Sequence, residues 1–301
     1  MIPVFNAELN LPELSARLKN VLNALGGDHE ILFVDDGSRD ESWQLITRLA
    51  QTDKAIRGFR MMRNYGQHNA LLCGIREAKF DTTVTMDDDL QHPPEEIPMI
   101  LAQLKDFDVV YGAPQQQTHG VFRNLASQIT KLALQKTMGS ETARHISAFR
   151  VLRTELRRGF ETYHGPYVSI DVLLTWGTKN FGVLRVRHAA RVRGASNYSV
   201  RKLLQHAMNM ITGFTTIPLQ LATWIGLAFT AFGFLVLCYV VTRYLIQGDV
   251  APGFPFLASL IVIFSGAQLL ALGVLGEYLA RIHLRVMDRP SYSIRTTTDA
   301  N

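Results

Sequence analysis

Asp87-Asp88-Asp89-Leu90-Gln91 is the stretch of this 301-residue chain best suited to chemistry: three carboxylates in a row, closed by an amide. In an extended segment the side chains at i and i+2 point the same way, so Asp87 and Asp89 face one ligand while Asp88 faces away. Carboxylates so spaced suit a hard divalent cation such as Mg²⁺, which takes one or two of them and fills its shell from substrate phosphates and water. The competing reading is an acidic turn that only caps the helix after it. A second cluster, Asp35-Asp36-Gly37-Ser38, sets a carboxylate where it accepts hydrogen bonds from a base or ribose, and Gly37 allows close backbone approach. Taken by itself, that cluster is equally an Asx or helix-cap turn. His68 and His92 lie nearby without metal-ligand spacing, so helix capping or substrate contact is expected of them.

The elements that must position these residues follow from the hydrophobic pattern. Apolar runs at 2–5, 30–34, 58–62, 82–86 and 109–111 read as strands. Between them, amphipathic helices are expected over 11–24, with Leu14, Leu18, Val21, Leu22 and Leu25 on one face, and over 42–50 and 68–78. Pro93-Pro94-Glu95-Glu96 opens another helix, with prolines and acids where a helix N-terminus favours them. Alternating strands and helices predict parallel pairing through right-handed crossovers. In such sheets ligands bind beyond the carboxyl ends of the strands, and both acidic clusters fall there. A basic amphipathic helix over 121–138, a mixed stretch to 186, and a loop rich in Arg, Gly, Ser and Asn over 187–199 follow. The polar tail after Pro290 is expected to be irregular.

The chain's two parts are different materials. Charged residues recur every few positions up to Lys202, yet none occurs over 203–242 or 250–276. A membrane span needs about 20 apolar residues, and 219–242 and 254–276 supply two. Ahead of them, Met208, Met210, Ile211 and Phe214 interleave with His206, Asn209 and Thr212, the pattern of a helix lying in the membrane interface over 201–217. No basic leader precedes the first strand, so the soluble part is expected to stay where it is made. Arg191, Arg193, Arg201 and Lys202 before the spans, and Arg281, Arg285 and Arg289 after them, place both termini in the cytoplasm. The net charge of +5 belongs to these membrane-proximal cations, and nucleic acid is not expected as a partner. Cys73 and Cys238 are far apart in the pattern and are expected to stay reduced. Gly226 and Gly233, like Gly266 and Gly273, lie seven apart on one helix face, which suggests close helix packing and a homo-oligomer.

Several segments together resemble a known family. Ile2-Pro-Val-Phe-Asn6, Val34-Asp-Asp-Gly-Ser38, Arg63-Asn-Tyr-Gly-Gln-His68, Asp87 through Glu96, Arg191 through Tyr198 and Gly273 through Arg281 are similar, in this order, to the family 2 glycosyltransferases. Within that family they resemble the polyprenyl-phosphate glycosyltransferases. The resemblance implies an α/β fold: a GT-A (Rossmann-like, mostly parallel sheet) catalytic domain over 1–200, an interfacial helix over 201–217, a two-helix transmembrane hairpin over 218–278 and a cytoplasmic tail over 279–301. It implies that Pro3 and Phe5 line the base pocket and that Asp35 or Asp36 contacts base or ribose. Asp87 would hold ribose and metal, and Asp89 and Gln91 the metal and diphosphate. Arg191, Ser196 and Asn197 would approach the diphosphate or the acceptor phosphate.

The implied activity is metal-dependent, inverting transfer, with Mg²⁺ or Mn²⁺, from a nucleotide sugar to a polyprenyl phosphate at the inner membrane. A uridine diphosphate sugar and undecaprenyl phosphate are the first expectation, and the product is a lipid-linked monosaccharide for cell-envelope or lipopolysaccharide modification. Asp87, Asp89 and Arg191 carry the catalysis, and no general base is named, because a phosphate monoester with a second pKa of about 6 is itself a ready nucleophile. Three departures touch the donor pocket: a short first strand, Ala7 where relatives have Glu with Glu8 beside it, and Asn197 where Lys is usual. An inactive nucleotide-binding scaffold or flippase-associated subunit is the alternative, against which the intact Asp87, Asp89 and Gln91 argue.

Overall fold

The computed structural model describes residues 1–115, 145–165, 167–189, 217–247 and 253–299. The chain divides into two compact units. The first contains strands β1 (Ile2–Val4), β2 (Ile31–Asp35), β3 (Ile56–Met61), β4 (Thr82–Thr85), β5 (Val109–Pro114), β6 (Arg150–Arg153), β7 (Phe181–Val186) and β8 (Ile294–Thr297). Its helices are α1 (Leu11–Leu25), α2 (Ser42–Thr52), α3 (Gln67–Glu77), α4 (Ile97–Leu101) and α5 (Ile170–Gly177). The strands expected over 2–5, 30–34, 58–62 and 82–86 and the helices expected over 11–24, 42–50 and 68–78 form within two residues of those ends, whereas the strand expected over 109–111 continues to Pro114.

All five residues of β2 are buried, which a sheet covered on both faces requires of its central strands. Strand alternation sends Ile31 and Phe33 to one core with Leu11, Leu14 and Leu18 of α1. It sends Leu32 and Val34 to the opposite core with Ala70 and Cys73 of α3. Burial of a side chain such as Leu14 contributes about 2 kcal/mol, and α1 presents its apolar residues at three- and four-residue spacing to collect that term repeatedly.

Two four-stranded sheets result, in the orders β1-β2-β3-β8 and β4-β6-β5-β7. They meet where the Met1 amine donates to Val84 O (2.8 Å) and Met86 N donates to Met1 O (3.3 Å). Pairs β1–β2, β2–β3 and β5–β7 are parallel, as the crossovers predict. Antiparallel β6 and β8 make the sheets mixed. Arg-Val-Leu-Arg of β6 is too short and too charged to stand out as a strand; it is held between β4 and β5 by pairing, with Val151 and Leu152 buried.

The tail after Pro290 departs from expectation. Instead of an irregular end it returns to the first unit and pairs with β3, Phe59 opposite Thr297 and Arg60 opposite Thr296. Tyr292 packs beside Leu32, Val34 and Cys73. Buried Arg57 is clamped between Glu30 (2.7 Å) and Asp299 (2.6 Å). At Gly58 a Cβ would lie 2.5 Å from Ile46 and 3.1 Å from Thr298, so only glycine lets α2 and the tail close over this strand.

The second unit holds two long helices, α6 (Ile217–Gln247) and α7 (Phe254–Val286). Pro218–Arg243 and Ile263–Val286 are long and apolar enough to cross a membrane. Leu221, Trp224, Leu227, Phe234 and Leu235 of α6 are all exposed, a surface suited to lipid rather than water. The second helix carries Arg281 and Arg285 within it, past the end expected at 276. Phe229 and Phe264 meet edge to face at 5.7 Å, and a Cβ on Gly233 would lie 3.0 Å from Phe264. Gly226, Gly266 and Gly273 have nothing within 4 Å of a would-be Cβ, so of the four glycines only Gly233 serves this helix contact among the described residues. The helix expected over 121–138 lies outside the described residues, as does the one expected over 201–217 apart from Ile217, which opens α6.

Candidate active site

Strands β1, β2 and β4 end side by side, which brings both acidic clusters to one edge of the sheets. Asn6 turns the chain off β1 with a φ of 54°. Its amide donates to Ser38 Oγ (3.0 Å), and its Oδ1 accepts Arg39 N (2.9 Å). Pro3 is buried, whereas the Phe5 ring is 45% exposed and free to cover a planar ligand. Ala7 N donates to buried Ser42 Oγ (2.9 Å). Glu8, weighed as a replacement for a nucleotide-contacting Glu, instead accepts Glu41 N at the start of α2 (2.8 Å).

The structure separates the roles of Asp35 and Asp36. Asp35 is fully buried; its Oδ1 accepts Ser38 N (3.0 Å), while Oδ2 has no hydrogen-bond donor. Arg60 Nε lies 3.3 Å from Oδ2, close enough for charge attraction but not aligned for a hydrogen bond. A buried acceptor without a donor is costly, and a base or ribose donor would relieve it. Both oxygens of Asp36 are engaged, by Tyr65 N (2.6 Å) and Gly66 N (2.8 Å). Burial nonetheless pushes its carboxyl up to about 6, the two amides offsetting part of the rise. Gly37, with φ 71°, lies so near the same loop that a Cβ would sit 2.7 Å from the Arg63 carbonyl carbon. The close approach expected at Gly37 is thus to the chain's own 63–66 loop.

At the end of β4 each acidic side chain has its own donor. Gln67 Nε2 donates to Asp87 Oδ1 (2.6 Å), Phe5 N to Asp88 Oδ2 (3.3 Å), and Gln91 N to Asp89 Oδ1 (3.1 Å). Asp88 is thereby turned toward β1, and burial, with Asp87 and Asp89 adding to it, pushes its carboxyl up to about 7. Leu90 adopts a φ of 60° while 3% exposed. A bulky residue in this left-handed region costs about 1–2 kcal/mol, which burial of its side chain among Ile97 and Ile100 offsets. The strained turn is what lets Gln91 N reach back to Asp89.

These residues fit a divalent cation of the oxygen-seeking kind. Among the described residues no group of three or more His, Cys, Asp or Glu forms a ready metal cage. Such a cation needs only one or two carboxylates when a diphosphate completes its shell, and Asp87 and Asp89, with Gln91, are the residues that would hold it. The histidines act as scaffold: His68 Nδ1 accepts Ile170 N at the start of α5 (3.3 Å). His92 is buried against Phe149 and His188, and burial pushes it down to about 4, so it stays neutral.

Beneath the site, Tyr111 OH donates to Asp171 (2.9 Å) and Arg150 pairs with the same carboxylate, all three buried. Thr85, Arg150 and Tyr111 lie at one register level, two residues below Asp87. The triad therefore fixes α5 against the strands that carry the acidic cluster. A cavity of about 490 Å³ near Leu18, Leu22, Thr83 and Val84 lies at the amino ends of β2 and β4, away from these carboxylates. Arg191, Ser196 and Asn197 lie outside the described residues. The residues that pattern reading missed are Gln67, Arg60 and the amides of Tyr65 and Gly66. The segment 63–68 entered only through its resemblance, and amide donors leave no trace in side-chain types.

Comparison with known proteins gives a consistent result. Residues 1–160 match the family described as Glycosyl transferase family 2. The undecaprenyl-phosphate 4-deoxy-4-formamido-L-arabinose transferase of Pseudomonas paraeruginosa is 34% identical over 304 residues, covering 100% of this chain and 90% of that protein. The enzyme of the same name from Salmonella paratyphi B is 34% identical over 299 residues, covering 98% and 91%. Among solved structures, glucosyl-3-phosphoglycerate synthase from Mycobacterium tuberculosis, crystallised with Mn²⁺, UDP-glucose and phosphoglyceric acid, superposes with a TM-score of 0.51. Its identity is 16% over 70% of this chain and 75% of that one, a likeness of fold alone.

Proposed function

This chain belongs to glycosyl transferase family 2, and on that premise we propose that it moves a sugar from a nucleoside diphosphate onto the phosphate of a polyprenyl lipid. Uridine is the proposed nucleoside and undecaprenyl phosphate the proposed acceptor, the latter supported by the names of the full-length relatives. The observation that carries the reading is that Asp35, whose buried Oδ2 faces Arg60 Nε at 3.3 Å without a hydrogen-bond donor, ends β2 while the carboxylates Asp87 and Asp89 follow the end of β4.

In this reading Asp35 accepts a hydrogen bond from the base or ribose and the exposed Phe5 ring covers it, while Asp36 holds the neighbouring loop. Asp87, Asp89 and Gln91 hold Mg²⁺ or Mn²⁺, which when bound supplies positive charge against the departing diphosphate. Arg191, Ser196 and Asn197 are assigned to the diphosphate and the acceptor phosphate. An acceptor phosphate oxygen attacks the anomeric carbon from the side opposite the diphosphate. One carbon–oxygen bond forms as the other breaks, the electron pair leaves with the nucleoside diphosphate, and the anomeric configuration inverts. The second pKa of a phosphate monoester is about 6, so the chain's task is to hold the nucleophile in line rather than to deprotonate it. We place the protein in the inner membrane through α6 and α7, with the catalytic unit and both termini cytoplasmic, and as a homo-oligomer through these helices.

The test is transfer of label from a panel of radiolabelled UDP-sugars to undecaprenyl phosphate by the full chain in detergent, with Mn²⁺ or Mg²⁺, with EDTA, and with Asp89→Ala. Label in the lipid that requires metal and vanishes in the variant is the expected result. Transfer indifferent to both EDTA and the substitution overturns the metal assignment. Folded protein that labels no lipid from any donor in the panel overturns the proposed donor and acceptor pair.

A further inference from the structure

Resting on the proposed role of Asp87 and Asp89 in cation binding, we infer that Gln67 is a positioning residue for that site. Through the 63–66 loop it ties the nucleoside carboxylates of β2 to the cation carboxylates of β4. Gln67 is the first residue of α3, and its amide nitrogen is 2.6 Å from Asp87 Oδ1. The donor comes from neither the strand nor the turn that carries the acidic cluster. It is the end of a chain of close contacts that begins on β2.

Asp36 holds the amides of Tyr65 and Gly66 with its two oxygens, and Gly37 admits the Arg63 backbone at a distance no side chain would allow. The Arg63 guanidinium lies 4.4 Å from the centre of the Tyr65 ring, and His68, one residue past Gln67, accepts the amide at the start of α5. Residues 63–68 are therefore held from both sides, and the Gln67 side chain projects from a fixed base.

A carboxylate rotates readily about its last bond, and a cation site requires its ligands within about 0.5 Å of their working positions. The hydrogen bond from Gln67 to Oδ1 restrains the rotation of the Asp87 carboxylate, and Gln91 N restrains Asp89 in the same manner. Removing such an outer partner of a metal ligand weakens metal binding by about 10–100-fold.

The experiment compares the full chain in detergent as wild type, Gln67→Leu, Gln67→Lys and Asp89→Ala. Mn²⁺ affinity is read by electron paramagnetic resonance in the presence of UDP, binding of UDP is read without metal, and thermal unfolding is followed for each protein. Gln67→Leu is expected to weaken Mn²⁺ binding about 10–100-fold, with metal-free UDP binding and unfolding temperature unchanged. Gln67→Lys, which keeps a donor, is expected to restore most of it. Wild-type Mn²⁺ affinity in Gln67→Leu, alongside loss in Asp89→Ala, overturns the inference and leaves the cation reading standing. Wild-type affinity in Asp89→Ala overturns the cation reading itself. A Gln67→Leu protein that unfolds early and loses metal-free UDP binding as well overturns the positioning role in favour of a structural one.

Discussion

Asp36 offers a pH-dependent stability whose sign follows from its surroundings. Its ordinary value is 3.8, and burial raises it to about 6 in the folded chain. The folded state therefore binds this proton more tightly than the unfolded state, by about 3 kcal/mol. That stabilisation is fully present below the unfolded value of 3.8 and is lost as pH rises through about 6. Asp36→Asn has no such proton, so wild type and variant are expected to diverge with pH. Between pH 4 and pH 7 the stability difference shifts toward the variant by about 2.4 kcal/mol, which for a unit of this size moves the relative unfolding temperature by about 5–10 °C. Tryptophan fluorescence during thermal unfolding of both full-length proteins, across that range, is the assay. Parallel pH profiles for the two proteins would refute the argument, because they would mean that Asp36 titrates alike in both states.

Three further outcomes follow from packing. Leu90→Gly relieves about 1–2 kcal/mol of left-handed strain but forfeits about 2–5 kcal/mol of side-chain burial, so the unfolding temperature should fall, and a rise would show that strain dominates. Deleting residues 291–301 strips β8 and Tyr292 from the edge of β3. The expected loss is about 2–4 kcal/mol with faster proteolysis of the first unit, and unchanged unfolding would mean that the strand contributes nothing to the fold. Arg150→Met leaves Asp171 buried with Tyr111 alone and should cost about 3–5 kcal/mol. Pairing it with Asp171→Leu should recover much of that loss in thermal unfolding, and a double variant no better than the single would argue against an uncompensated charge as the cause.

Much of this molecule is visible in local pattern. The apolar run of Ile31–Asp35 and the three- and four-residue spacing of α1 are properties of short windows, and burial then selects the matching element. The two long apolar helices need only length and composition. The candidate cation carboxylates are equally local, because Asp87 and Asp89 are two apart in the chain; the extended segment expected there is instead a turn over Asp88 and Asp89 just past β4.

What the pattern left open depends on partners distant in the chain. Asp35 and Asp36 are chemically identical neighbours, and only the folded chain gives one an oxygen without a donor and the other two backbone amides from residues 65 and 66. Gln67 reads as an ordinary surface residue until α3 sets it against Asp87. The tail reads as a polar end until β3, more than two hundred residues earlier, supplies its ladder. Side-chain type and spacing thus determined the elements and the acidic clusters. The tertiary structure decided which carboxylate has both oxygens hydrogen-bonded and which does not, because hydrogen bonds to backbone amides depend on where the chain passes and not on which residue carries them.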